Sequence, residues 1–196
     1  PVLIGDIATI PMEGSLLPET YDFSYHDTRQ NLIERMKKSM QEELRALWEK
    51  RAGDIPFATP DEAVTLASIV EKETRLHDER PRVAGVFINR LKKHIPLQSD
   101  PTVIYAVTLG QAKLDRVLTY KDLQTSSAYN TYSRQGLPPT PIANPGRASL
   151  AAVLNPEHND YIYFVANGTG GHVFAKTLKE HNHNVAQWRK MQKNVK

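Results

Sequence analysis

Cysteine is absent from all 196 residues. A disulfide framework, a thiol nucleophile and a cysteine-ligated zinc site are therefore excluded, while the compartment stays open. Long apolar runs are missing too, so no segment reads as a membrane span. Nor is there a large excess of one charge: 25 Lys and Arg against 22 Asp and Glu leave a net charge of +3, with the signs interspersed. That balance argues against the basic stripe of a nucleic-acid binder. It suits an anionic polymer such as a carboxylate-bearing glycan. Internal repeats and low-complexity tracts are lacking. The chain starts "PVLIGD", without Met or a signal-peptide pattern, and the expectation is an excised piece whose anchor or export signal lies upstream.

What is present is a chain with 40% hydrophobic and 24% charged residues, enough for one packed core. "VLIGDIATIP" reads as a terminal strand or the end of a preceding module. "MEGSLLPETYDFSYHDT" reads as loop, punctuated by Gly14 and Pro18. Asp27 or Thr28 caps a predicted helix in which Leu32, Met36, Met40, Leu44 and Leu47 recur at helical spacing. Thr59, Pro60, Asp61 and Glu62 form an N-cap, a proline at the first position and an acidic first turn. They predict a helix from Pro60 to about Leu76. A further helix is predicted over "ERPRVAGVFINRLKKH", with Val83, Val86, Phe87 and Leu91 on one face. "PLQSDPTVIYAV" predicts a loop followed by a helix or strand. Residues 120–156 are read as irregular, with five prolines that cannot donate to a ladder, and as a functional loop. "YIYFVA", a glycine-rich turn and "HVFAKT" predict a hairpin, and the tail predicts a closing helix. The class is α+β: a mainly helical domain with a small antiparallel β element and a long Pro-rich loop lining a cleft.

Glu71 and Glu73, two apart in "ASIVEKETRL", differ on a helical wheel. At about 100° per residue, Leu66, Ile69, Val70 and Glu73 fall within roughly a third of the circumference. Glu71 lies roughly 160° from Glu73 by the same arithmetic. A carboxyl among apolar side chains has its charged form disfavoured, so its pKa rises, as a general acid near neutrality requires. The alternative is that Glu73 ends the buried stretch and pairs with an arginine. Glu71 reads as a solvated or structural carboxylate.

Six blocks in order, "LASIVEKET", "VAGVFINRL", "LQSDPTVIYA", "SAYNTY", "GLPPTPIANPG" and "YFVANGTGGHVFAKTLKEHN", resemble those of the endolytic murein transglycosylases, the MltG or YceG-like family. The resemblance runs from about Glu13 to the tail. It implies a YceG-like catalytic domain over residues 13–196, with residues 1–12 left from, or linking to, an upstream LysM-like module. It further implies a lytic transglycosylase that cuts peptidoglycan glycan strands internally, between N-acetylmuramic acid and N-acetylglucosamine, and ends their elongation with 1,6-anhydromuramyl termini. The implied place is the bacterial inner membrane, catalytic domain on the periplasmic side, held by a segment missing from this chain. Penicillin-binding protein synthases are the implied partners. The family's catalytic glutamate belongs to "EKE"; the Glu-Thr step and the wheel place it on Glu73, with Glu71 the alternative.

One glutamic acid suffices for such a reaction, because the muramyl C6 hydroxyl rather than water closes on C1. Glu71, Glu13, Glu19 and Asp100 are the carboxylates that could assist. Gln98, Ser99, Asp100, Thr102, Tyr129, Asn130, Thr131 and Tyr132 offer the planar hydrogen-bonding groups and aromatic faces that sugars need; the alternative is that the tyrosines pack the loop onto the core and that Asp100 starts a turn or caps a helix. The family block adds His172 as a substrate-orienting residue. "GTGGH" lacks the Lys-Ser/Thr and the following helix of a phosphate loop, so a hairpin turn is expected. Lys72 has no phosphate cup beside it, and no pyridoxal phosphate or other cofactor is expected. His181 and His183 do not share a helix face, and no metal is expected. Two other classes compete: a non-catalytic peptidoglycan-binding scaffold and a water-using hydrolase.

Overall fold

A computed structural model describes residues 2–194. Seven α-helices and one hairpin follow in the order α1 (Arg29–Glu49), α2 (Pro60–Glu73), α3 (Arg80–Lys92), α4 (Asp100–Thr108), α5 (Tyr120–Leu123), α6 (Arg147–Leu154), β1 (Tyr163–Ala166), β2 (His172–Ala175) and α7 (Leu178–Asn194). The α+β expectation holds. The strands pair antiparallel, Tyr163 opposite Ala175 and Ala166 opposite His172.

The predicted caps form. Thr28 and Thr59 each accept a hydrogen bond from the backbone three residues on, and Asn31 and Glu62 reach back to complete the boxes. α2 starts at Pro60 as the sequence predicts but stops at Glu73, where Thr74 turns extended. It is also not a one-sided helix: Ala63 to Val70 are all buried, because α6, α3, α4 and α1 surround it. The hydroxyls this encloses are satisfied locally. Thr65 donates to the Asp61 carbonyl at 2.9 Å and Ser68 to that of Thr65 at 2.7 Å.

The core gathers Leu66, Ile69, Val70, Val83, Phe87, Leu97, Leu150, Val153 and Leu154. Leu150 to Leu154 belong to α6, inside the stretch read as irregular. That helix is capped by Gly146 without a side-chain bond and is buried at Ser149, Leu150, Ala152, Val153 and Leu154, so it carries neither a capping side chain nor an amphipathic stripe. Residues 124–146 contain no helix or strand. The N-terminal strand expectation reduces to a single parallel bridge between Ile4 and Thr28. Among the described residues no helix is long and apolar enough to cross a membrane.

Candidate functional site

The end of α2 carries both glutamates of "EKE", and the structure gives them different partners. Glu71 accepts three hydrogen bonds: from Arg80 at 3.2 Å, the Gly146 backbone N–H at 3.0 Å and the Ser149 hydroxyl at 2.6 Å. It joins α2, α3 and the start of α6. Glu73, partly exposed, has one bond, from the Ser99 hydroxyl to Oε1 at 2.5 Å. Burial pushes its carboxyl up to about 7; the Ser99 bond works against that rise, and the nearby Asp100 charge adds to it.

Ser99 is aimed by a frame of buried hydroxyls. Its N–H donates to Thr131 Oγ1 at 3.1 Å, its carbonyl accepts Thr102 Oγ1 at 2.7 Å, and Thr102 Oγ1 lies 2.8 Å from Thr131 Oγ1. Asn130 is fully buried; its amide donates to the Leu123 and Thr125 carbonyls at 3.0 and 2.8 Å, and its Oδ1 accepts the Tyr132 N–H at 3.0 Å. Thr102, Asn130 and Thr131 therefore spend their polar atoms inside the chain. The sugar-contacting reading of these three gives way to a framing one, because buried, satisfied groups present nothing to a ligand.

The other expected residues divide. Gln98 and Asp100 are exposed, and Tyr132 donates to Asp100 Oδ1 at 2.6 Å. Burial, followed by that carboxylate, holds the Tyr132 phenol well above its ordinary pKa. Tyr129 turns elsewhere: its ring centroid lies 4.7 Å from that of Tyr105, and its hydroxyl is 2.7 Å from Thr140 Oγ1. It packs the loop onto the core. Of the four carboxylates considered as helpers, Asp100 is the one whose charge acts on Glu73. Glu13 acts instead on Tyr105, adding to the rise that burial gives that phenol, and Glu19 lines a groove with Arg147.

His172 is tied back rather than free. Its N–H donates to Glu79 Oε1 at 2.8 Å, and its ring Nδ1 lies 2.8 Å from Glu79 Oε2. Thr74, next to Glu73, donates to the same carboxylate at 3.3 Å. Burial would raise the Glu79 pKa, but the ring and backbone bonds from His172, with help from Thr74, outweigh it and hold the group below its ordinary value. Glu79 was invisible to sequence reasoning. It lies 93 residues from its partner, and no local pattern marks it. Arg90 was missed too; it is buried and donates to the Leu97 carbonyl at 2.6 Å and to Gln98 Oε1 at 3.1 Å.

One groove, of about 590 Å³, is lined by Asp61, Glu62, Thr65, Leu91, Leu137 and Pro138 among others. Leu137 and Pro138 of the proline-rich stretch thus border the N-terminal half of α2, while Tyr132 and Gly146 of the same stretch lie at the end that carries the two glutamates. Glu73 lines neither this groove nor two smaller ones. The acid sits at a partly covered surface position beside Ser99, Asp100 and Tyr132. Chemically, the arrangement can store a proton near neutral pH and present it to a ligand.

Comparison with known proteins gives the wider context. A chain from Bacillus subtilis (strain 168) named endolytic murein transglycosylase is 46% identical over 174 residues, covering 88% of this chain and 46% of the relative. One of the same name from Streptococcus pneumoniae serotype 2 is 34% identical over 182 residues, covering 90% of this chain and 32% of the relative. This chain thus spans less than half the length of either. The crystal structure of a yceG-like protein from Listeria monocytogenes matches with a TM-score of 0.71 at 41% identity, over 87% of this chain and 54% of that one. The profile of the YceG-like family matches residues 4–187, and the chain belongs to that family.

Proposed function

We propose that this chain is the catalytic part of an endolytic murein transglycosylase and that Glu73 is its acid and base. The carrying observation is the carboxyl of Glu73, raised by burial to about 7 and held by a single bond from Ser99. Below that pH the group keeps its proton. In the first step it gives the proton to the glycosidic oxygen between N-acetylmuramic acid and N-acetylglucosamine, and the C1–O bond breaks. In the second step the resulting carboxylate takes the proton of the muramyl C6 hydroxyl. That oxygen closes on C1, giving a 1,6-anhydro end and restoring the acid. Asp100, exposed beside the acid, faces the positive charge that develops at C1. Gln98, Asp100, Tyr132 and His172 supply sugar contacts, while Ser99, Thr102, Asn130 and Thr131 hold the loop that carries them.

The proposed substrate is peptidoglycan outside the cytoplasm, and the cut ends glycan elongation. Residues 13–196 are the catalytic unit, and residues 1–12 lead in from an upstream module. Attachment to the inner membrane comes from a segment outside this chain, and wall synthases of the penicillin-binding type are the proposed partners. The names of the relatives support the reaction class.

One observation favours a second reading. Asp100 is a second carboxylate near Glu73, and two carboxylates are what a water-using hydrolase needs. Digestion of purified wall sacculi separates the two. Wild type is expected to release fragments one water lighter than reducing-end fragments, and Glu73→Gln none. Reducing ends would establish the hydrolase. Equal release by Glu73→Gln would remove Glu73 from the chemistry, and binding without release by wild type would leave only a scaffold.

A further inference from the structure

Arg90 on α3 is 7% exposed, and no ion pair among the described residues includes it. An unpaired buried cation is costly, so its remaining contacts show what it is kept for. Nη1 donates to the Leu97 carbonyl at 2.6 Å and Nη2 to Gln98 Oε1 at 3.1 Å. The Tyr163 ring centroid lies 5.3 Å from the guanidinium carbon, while Nε finds no partner. Tyr132 and His181 also feel its charge. Both strong bonds thus go to one turn.

That turn has an unusual shape. Gln98 has φ 53°, a left-handed conformation that residues with a Cβ seldom adopt. It persists because the turn is held from two sides. Thr131 takes the Gln98 N–H on its carbonyl and the Ser99 N–H on its hydroxyl, both at 3.1 Å, and Arg90 grips the preceding carbonyl and the Gln98 amide. What the turn delivers is the Ser99 hydroxyl, 2.5 Å from Glu73 Oε1.

We propose that Arg90 is a positioning residue: it fixes the Leu97–Ser99 turn so that the Ser99 hydroxyl is aimed at Glu73. The inference rests on the reading of Glu73 as the acid for its meaning in catalysis, but not for its test. A hydroxyl donated to a carboxylate favours the ionised form, so a turn that loses its shape leaves Glu73 holding its proton more tightly.

The test is a carbon-13 NMR titration of the Glu73 carboxyl in the folded chain, the signal assigned by its loss in Glu73→Gln, alongside the pH profile of wall cleavage. Ser99→Ala raises the Glu73 midpoint by about one pH unit. Arg90→Lys, which keeps the charge but not the fork, raises it similarly, and the double variant goes no further, as expected of residues acting through one contact. Asp100 and Tyr132, the titratable groups facing Glu73, are unchanged in all three. Gln98→Gly, at an exposed position whose φ suits glycine, removes one Arg90 contact and gives a smaller rise; it decides the matter if Arg90→Lys does not fold. An unmoved midpoint in folded Arg90→Lys, or in Gln98→Gly where that variant decides, overturns the proposal. So do shifts from Arg90→Lys and Ser99→Ala that add in full. If the midpoints follow the expected pattern while wild type cleaves no wall, the positioning stands and the proposed reaction falls.

Discussion

The Ser149 hydroxyl donates to Glu71 Oε2 at 2.6 Å, joining the last turn of α2 to the first turn of α6. Arg80, its side chain 9% exposed, approaches the other oxygen at 3.2 Å. Glu71 is the pin that holds the frame around Glu73. Replacing it by Gln keeps the shape but leaves a buried guanidinium short of a counter-charge, at a cost of about 2 kcal/mol. Urea unfolding is expected to show that loss while wall cleavage per folded molecule persists. Full stability with lost cleavage would reverse the roles of the two glutamates.

Glu73→Gln has the opposite signature. With Glu73 as the proposed acid, proton transfer worth about three powers of ten in rate is expected to be lost from wall cleavage. Stability changes in a pH-dependent way. The folded group holds its proton to about 7, against an ordinary value of 4.5. A raised folded pKa stabilises fully below the unfolded value and is lost as pH rises through the folded one. Wild type therefore loses stability between about pH 4.5 and 7, and Gln flattens that slope. Urea midpoints at pH 5, 6, 7 and 8 measure it, and parallel slopes in both proteins would place Glu73 in water.

Asp100→Asn tests the neighbouring charge. The Asp100 carboxylate disfavours ionisation of Glu73, so a neutral amide lets Glu73 lose its proton earlier. The falling limb of the pH–activity profile moves to lower pH by a fraction of a unit. A limb that moves up would show that Asp100 acts through Tyr132 or the backbone rather than through its charge.

These residues also show where the sequence was legible. The start of α2 was, because Thr59, Pro60 and Glu62 act over three residues of chain. The partial burial of Glu73 was anticipated for an incomplete reason. The wheel assumed a stripe facing one neighbour, whereas α2 is buried from Ala63 to Val70 and stops at Glu73. The acid is covered at the helix end, where the Ser99 turn meets it. α6 was hidden because a helix of eight residues after Pro145, mostly buried and without a capping side chain, offers too little period to read. Glu79 depends on a partner 93 residues away, whereas Arg90 and Asn130 bond the irregular loops that follow or surround them in sequence; propensity carries no information about either kind of contact.

The Glu79–His172 link gives the last prediction. A Cβ added at Gly171 would lie 2.6 Å from Glu79 Oε1 and 3.1 Å from Leu76 Cδ1. Glu79 cannot retreat freely, because His172 holds it by the backbone N–H and the ring nitrogen at 2.8 Å each, and Thr74 adds a third contact. Gly171→Ala therefore forces the hairpin away from the end of α2, costing about 2 kcal/mol. Glu79→Gln weakens the same link chemically. The folded pKa of Glu79 is lowered, so its contribution is present above the ordinary carboxylate range and is lost as pH falls through the folded value. Both variants should speed hydrogen exchange at the His172 amide, and at low pH wild type should approach Glu79→Gln. If Gly171→Ala leaves stability and exchange untouched, the hairpin is not anchored through this carboxylate.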